Sequence, residues 1–276
     1  MFKNILVHVG PPFDADVGRV AVQLAKIFDA RLIGVACTGI EVLLAPGLIE
    51  TGNETIARHL MDKIDAANSA LVSLEELARQ MGVEAVETRR ANGHAEAELK
   101  EQMAFTDLAV VGQGTGQGRW RNGWRTLPQQ LLRNATRPVL VVPDGFSGES
   151  FDQRIVIAWD ESAAAVRAVS SAMPILQRAQ VVEAVTYSTD DGFNMPGELE
   201  ALSSYLASHD IYARTTFLRA RSNVDIGEAL LGHVKSSGAD LLVLGGYGHS
   251  RLRELLLGSV STTVMRDLQV PALFMH

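Results

Sequence analysis

Asp240-Leu241-Leu242-Val243-Leu244-Gly245-Gly246-Tyr247-Gly248 is the stretch on which the fold turns. Leu241–Leu244 is a short continuous apolar run of the kind that forms a strand buried on both faces. It opens directly into glycines, and their spacing continues: Gly245, two residues, Gly248, nine residues, Gly258, then Ser259. After the loop, Val260, Val264 and Leu268 recur on one face of a predicted helix that ends before Pro271. A strand that runs through glycines into a loop and a helix N-terminus is suited to an anion. Main-chain N–H groups can approach a phosphate where no Cβ intervenes, and the first helical turn presents unpaired donors.

Working outward, the same plan occurs twice. Asn4-Ile5-Leu6-Val7-His8-Val9 is similar to Arg154-Ile155-Val156-Ile157-Ala158-Trp159. Asp107-Leu108-Ala109-Val110-Val111-Gly112 matches Asp240–Gly245, and Arg137-Pro138-Val139-Leu140-Val141-Val142 matches Val270–Met275. A repeat this long predicts two tandem domains, 1–145 and 152–276, because solenoid periods are far shorter. Asp144–Asp152, rich in Gly and Ser, is the expected linker. In each half, apolar strands alternate with amphipathic helices, which predicts an α/β fold with a parallel sheet covered on both faces. Strands are expected near 2–9, 31–36, 84–89, 108–112 and 138–142, and again near 154–159, 181–187, 211–218, 240–245 and 271–275. Helices are expected near 15–28, 54–81, 95–104 and 127–136, then 161–178, 197–208, 225–237 and 260–268. The last strands of the halves, 138–142 and 271–275, are expected to pair, which would hide two open sheet edges.

Composition narrows the function. The net charge of −7 argues against a nucleic-acid or anionic-membrane partner, both of which need a basic face. A phosphate site must therefore be made locally. No apolar run has the length of a membrane span, and a single cysteine, Cys37, excludes an internal disulfide. The expected compartment is the cytoplasm. In open α/β sheets ligands lie beyond the carboxyl ends of the strands, where the winding reverses. If the strands 154–159 and 240–245 are neighbours, Asp160 and Gly245 face one crevice.

The strand-terminal Asp160, the spacing Gly245-x2-Gly248-x9-Gly258-Ser259 and the Pro271 strand together resemble the universal stress protein (UspA) family, and the duplication resembles its tandem members. The resemblance covers essentially the whole chain. It implies an adenine-nucleotide alpha-hydrolase-like fold with strand order 3-2-1-4-5 in each half, and a nucleotide at the glycine loop. ATP is the nucleotide implied, with AMP and ADP as alternatives, and Mg could accompany it. It also implies a role in stress response and survival, and dimers that pair through fifth strands. Here that means an intrachain pseudo-dimer, with a homodimer as a further option. Carried over, Asp160 contacts the adenosine end, and the backbone of Ala184, Val185 and Thr186 edges the adenine. Gly245, Gly246 and Gly248 let the chain approach ribose and phosphate. Gly258, Ser259 and Val260 donate N–H groups to the phosphates, and Ser261 lies close enough to contribute. The first half departs from the pattern: Gly10 stands where Asp160 would, Thr115 opposite Gly248, and Arg125-Thr126 opposite Gly258-Ser259. It is expected to be a degenerate copy.

Plainer roles compete at several positions. Asp160 and Ser259 are also good helix caps. Arg251 and Arg253 could neutralise phosphate or be solvated, and His249 could carry a proton or be merely exposed. Trp120 and Trp124 suggest packing between the halves. Asn92-Gly93-His94 has the form of a turn and cap, Cys37 of a small buried residue, and Glu54–Glu76 of a solvated helix face. Three functions remain open: a nucleotide-binding regulator, a slow ATPase, and a scaffold acting through a protein partner. The loop lacks a Gly-Lys-Ser/Thr ending, so no residue is assigned a catalytic role.

Overall fold

The computed structural model describes residues 1–41, 54–114, 126–133, 135–148, 150–188, 196–219, 226–246 and 260–276. It is an α/β structure whose contacts divide the chain into two compact units, Met1–Gly112 and Gln113–His276.

The first unit runs β1 (Asn4–His8), α1 (Ala15–Phe28), β2 (Arg31–Cys37), α2 (Glu54–Gln80), β3 (Val86–Ala91), α3 (Ala95–Met103) and β4 (Leu108–Gly112). Its strands are parallel, in the order β3-β2-β1-β4. Ile5, Leu6 and Val7 are all buried, as a strand covered on both faces requires. Asp14 caps α1, its carboxylate accepting from the Asp16 and Val17 amides at 3.0 and 3.2 Å. The Asn92-Gly93-His94 turn is closed differently. His94 makes no side-chain capping bond, and the Glu98 carboxylate instead accepts from Gly93 N–H at 2.9 Å.

The second unit runs α4 (Leu127–Leu132), β5 (Val139–Val142), β6 (Arg154–Ala158), α5 (Ala163–Leu176), β7 (Val181–Ser188), α6 (Pro196–Ala207), β8 (Arg214–Arg219), α7 (Ile226–Ser237), β9 (Leu241–Gly245), α8 (Val260–Arg266) and β10 (Ala272–Met275). The strand order is β5-β10-β9-β6-β7-β8. From β6 to β10 this is the order 3-2-1-4-5 expected of a repeat. All these pairs are parallel except β5 with β10, which is antiparallel with Leu140 opposite Leu273. That pairing, expected from sequence, accompanies a division of the chain at Gly112 and not at the 144–152 linker: β5 belongs to the first sequence repeat but pairs with β10 of the second.

Two element ends differ from expectation. Ile211 was expected to open β8, but it seals the end of α6. Its N–H bonds to the Leu206 carbonyl at 3.0 Å, Asp210 takes a left-handed φ of 62°, and β8 begins only at Arg214. Helix α8 stops at Arg266, short of 268, because its last carbonyls are taken by a side chain from elsewhere in the unit, described below. Asp107 and Asp240 tie the opposite, N-terminal ends of the sheets. Asp107 accepts from the Lys3 and Asn4 amides, and Asp240 from those of Gln153 and Arg154. These aspartates are structural and lie at the far end of their strands from the crevice. No helix among the described residues is long and apolar enough to cross a membrane.

Candidate functional site

In the second unit β6 lies between β7 and β9, with Ala158 opposite both Val185 and Leu244. The chain leaves β6 through α5 toward β7 on one side, while β9 flanks it on the other. The winding therefore reverses between β6 and β9, and a crevice opens beyond their carboxyl ends. Asp160 stands two residues past Ala158, and Gly246 two past Leu244. The sheet register thus places the strand-terminal aspartate and the glycine pair at one mouth, as the sequence suggested.

The Asp160 turn is built locally. Its Oδ1 accepts from Ser162 N–H at 3.1 Å, Glu161 takes φ 59°, and the Ser162 hydroxyl accepts from Ala165 N–H at 3.1 Å. Ser162, not Asp160, is thus the cap of α5. Asp160 remains exposed, so its carboxylate keeps acceptor capacity toward the mouth.

Gly245 has a packing reason to be glycine that its spacing does not reveal. A Cβ there would lie 2.7 Å from the Ala165 nitrogen and 2.9 Å from the Ala164 carbonyl carbon. Its bare face is pressed against the first turn of α5, so close helix–strand packing by itself excludes a side chain. Its carbonyl accepts from the Ser261 hydroxyl at 3.3 Å. Ser261 is buried, so it ties the start of α8 to the end of β9. At Gly246 the N–H donates to the Met275 carbonyl at 2.7 Å and the carbonyl lies 3.1 Å from His276 Nδ1. Both of its backbone groups are therefore engaged in extending the β9–β10 pairing.

Ala184 and Val185 fall inside the sheet and not at its rim. Both are fully buried, and the Val185 carbonyl accepts from Trp159 N–H at 2.9 Å. The strand was expected to end near 187 and runs to Ser188. Thr186, half-buried, is the member of that trio nearest the mouth. Val260 opens α8. Gly248, His249, Arg251, Arg253, Gly258 and Ser259 lie outside the described residues, as do Trp120 and Trp124.

Sequence reasoning missed two groups beside Asp160. The indole Nε1 of Trp159 and the hydroxyl of Tyr187 are buried with no hydrogen-bond partner among the described residues. Burial, with the Glu183 carboxylate second, pushes the Tyr187 hydroxyl up to about 12. Glu183 itself accepts from the Thr216 hydroxyl at 2.5 Å, and His233 Nε2 of α7 lies 3.3 Å from it. The available signal was a lone glutamate and a terminal tyrosine in an otherwise apolar strand. Arg167 of α5 was also missed; its Nε donates to the His276 carbonyl at 2.6 Å.

At the corresponding places the first unit has Gly10, Cys37 and Gly112. The Gly112 Cβ position faces a side chain, Val17 Cγ2 at 3.1 Å, and not helix backbone. Burial, then the Glu98 charge, pushes the Cys37 thiol up to about 12, so it is a poor nucleophile. No group of three or more His, Cys, Asp or Glu among the described residues is placed to hold a metal ion.

An open, mostly parallel sheet flanked by helices, whose winding reverses between β6 and β9, defines an α/β protein of the doubly wound kind. Residues 153–276 match the model of the universal stress protein family. Over 273 residues the chain is 25% identical to a universal stress protein of Mycobacterium tuberculosis (strain H37Rv), covering 94% of this chain and 88% of that one. Over 210 residues it is 21% identical to a universal stress protein of Synechocystis sp., covering 75% and 71%. In fold it is similar to the crystal structure of a universal stress protein from Archaeoglobus fulgidus, with TM-score 0.73 and 15% identity over 98% of this chain and 95% of that one. By these matches residues 153–276 are similar to the universal stress protein family, and the chain as a whole is similar in sequence and fold to universal stress proteins.

Proposed function

We propose that the second unit binds an adenine nucleotide, ATP or its relatives ADP and AMP, at the mouth between β6, β7 and β9, and that the bound nucleotide serves as a signal or structural cofactor in a stress response. The observation that carries this is the register that sets exposed Asp160 beside the Gly245–Gly246 end of β9 at the switch point. The donor set suits the group. Asp160 offers an acceptor to ribose hydroxyls or an exocyclic amine, and the Trp159 indole is a buried polar group that a bound base could satisfy. In a chain of net charge −7, the phosphates would depend on main-chain donors of the glycine loop, with Gly248, Gly258 and Ser259 its expected members. On this proposal residues 152–276 form the nucleotide domain and 1–145 a degenerate copy.

Mass spectrometry of the small molecule released on denaturation, with titration calorimetry against ATP, ADP and AMP, tests it. Asp160→Ala removes a charged acceptor from an exposed turn. It should weaken binding by roughly 10- to 100-fold while leaving the unfolding curve within about 0.5 kcal/mol. Absence of heat and of any melting shift with all three nucleotides overturns the proposal.

A further inference from the structure

Helix α8 has only seven residues, too few to hold itself in place, yet it carries the far end of the glycine loop. It is clamped at both ends. At its start the Ser261 hydroxyl donates to the Gly245 carbonyl, across the base of the loop. At its end the side-chain amide of Gln113 donates to two carbonyls of the last turn, Met265 at 2.8 Å and Arg266 at 2.9 Å. Such carbonyls have no partner within a helix and must find one outside it. The rest of Gln113 is equally committed. Its Oε1 accepts from Asp144 N–H at 3.2 Å, its own N–H donates to the Val142 carbonyl at 2.8 Å, and it is 5% exposed. A buried amide with both protons and its oxygen engaged fixes what it touches.

The clamp runs in one direction between the sequence repeats. Aligned on Pro138 and Pro271, Gln113 stands opposite Gly246, which has no side chain to reach α4 in return. Ser261 stands opposite Pro128, which has no hydroxyl. The repeat that keeps the glycine spacing thus receives both ties, one of them from the repeat that lost it.

We infer that Gln113 is a positioning residue for the nucleotide site, supplied by the N-terminal repeat to hold α8 at the end of β9. This rests on the nucleotide proposal above. The first repeat is then a built-in support for its neighbour's phosphate side as well as a degenerate copy. The part of the ligand that depends on α8 is the charged tail, so loss of the clamp should tell on ATP more than on AMP.

The test uses full-length Gln113→Leu, which keeps the volume, and Gln113→Glu, which keeps the acceptor for Asp144 but has no donor for α8. Amide exchange is read over 260–268 and, as reference, over β1 and β6; ATP and AMP affinities are read by calorimetry. Both variants should speed α8 exchange about tenfold with the reference strands within twofold, and should lower the ATP-to-AMP affinity ratio by about fivefold to tenfold. Unchanged α8 exchange overturns the inference, as does an ATP-to-AMP ratio equal to that of the wild type, or Gln113→Glu behaving as wild type. If Gln113→Leu fails to fold, Gln113→Glu decides alone. If the wild-type protein binds neither nucleotide, the nucleotide proposal has failed and the inference falls with it, and exchange then reports only whether α8 is clamped.

Discussion

Adjacent glycines at the end of β9 should respond to the same substitution with opposite sign. At Gly245 an alanine Cβ would sit 2.7 Å from the Ala165 nitrogen, 2.9 Å from the Ala164 carbonyl carbon and 3.0 Å from the Ala164 Cβ. Two of these atoms are backbone of a helix whose first turn is already fixed by the Ser162 cap, so relief requires α5 to move as a body. Overpacking of this kind costs about 1–3 kcal/mol, and with backbone on the receiving side the upper part of that range applies. Loss of unfolded-chain freedom on replacing glycine by alanine returns about 0.4–1 kcal/mol. The net expectation for Gly245→Ala is therefore a destabilisation of about 2 kcal/mol. At Gly246 the nearest atom to a new Cβ is the Met275 carbonyl oxygen at 3.7 Å, an ordinary contact. There the entropic term decides, and Gly246→Ala should be neutral or stabilising by about 0.5 kcal/mol. Urea unfolding with amide exchange read on α5 and β9, separately from the first unit, measures both, since a chain of two compact units is not expected to unfold in one step. Displacing α5 also displaces the Asp160 turn, so on the nucleotide proposal Gly245→Ala should weaken binding more than Gly246→Ala. Equal stabilities for the two variants, or unperturbed α5 exchange in Gly245→Ala, would refute the assignment of Gly245 to helix–strand packing.

Two further expectations concern titration in the first unit. Desolvation lowers His8 to about 4 from its ordinary 6.5. Folding therefore favours the neutral imidazole, and the contribution is present above pH 6.5 and lost as pH falls through about 4. Over that window the first unit should lose up to about 3 kcal/mol from this group. His8→Leu should flatten this part of the stability–pH curve, and an unchanged slope would show that His8 is not the group responsible. With Cys37 raised to about 12 by burial and then by Glu98, only about one thiol in ten thousand is ionised at pH 8. Its alkylation by iodoacetamide in the native protein should be at least 100-fold slower than in urea; comparable rates would contradict the burial.

Periodicity and glycine spacing made most of the fold legible in the sequence. The apolar run Leu241–Leu244 is a buried strand, α1 begins and ends where the Asp14 cap and the left-handed Asp29 place it, and the paired last strands follow from the repeat. These features are local, or follow from a pattern that occurs twice. Asp160 at the mouth was legible because a strand end and its following cap are written in consecutive residues.

What the chain could not disclose in one dimension depends on partners distant in sequence. Gly245 and Gly246 are the same residue type, side by side, yet only the packing of α5 distinguishes the one that tolerates no Cβ. Ala184 and Val185 have the composition of a strand end, but pairing with β6 on one side and β8 on the other puts them inside the sheet. Gln113 looks like an unremarkable polar residue after a strand, and its role exists only because the fold brings it to carbonyls 152 and 153 positions away. Sequence alone determined where apolar faces and turns must fall, since those depend on neighbours a few residues apart. Tertiary structure alone decided which polar groups meet, because a hydrogen bond depends on distance and direction in space.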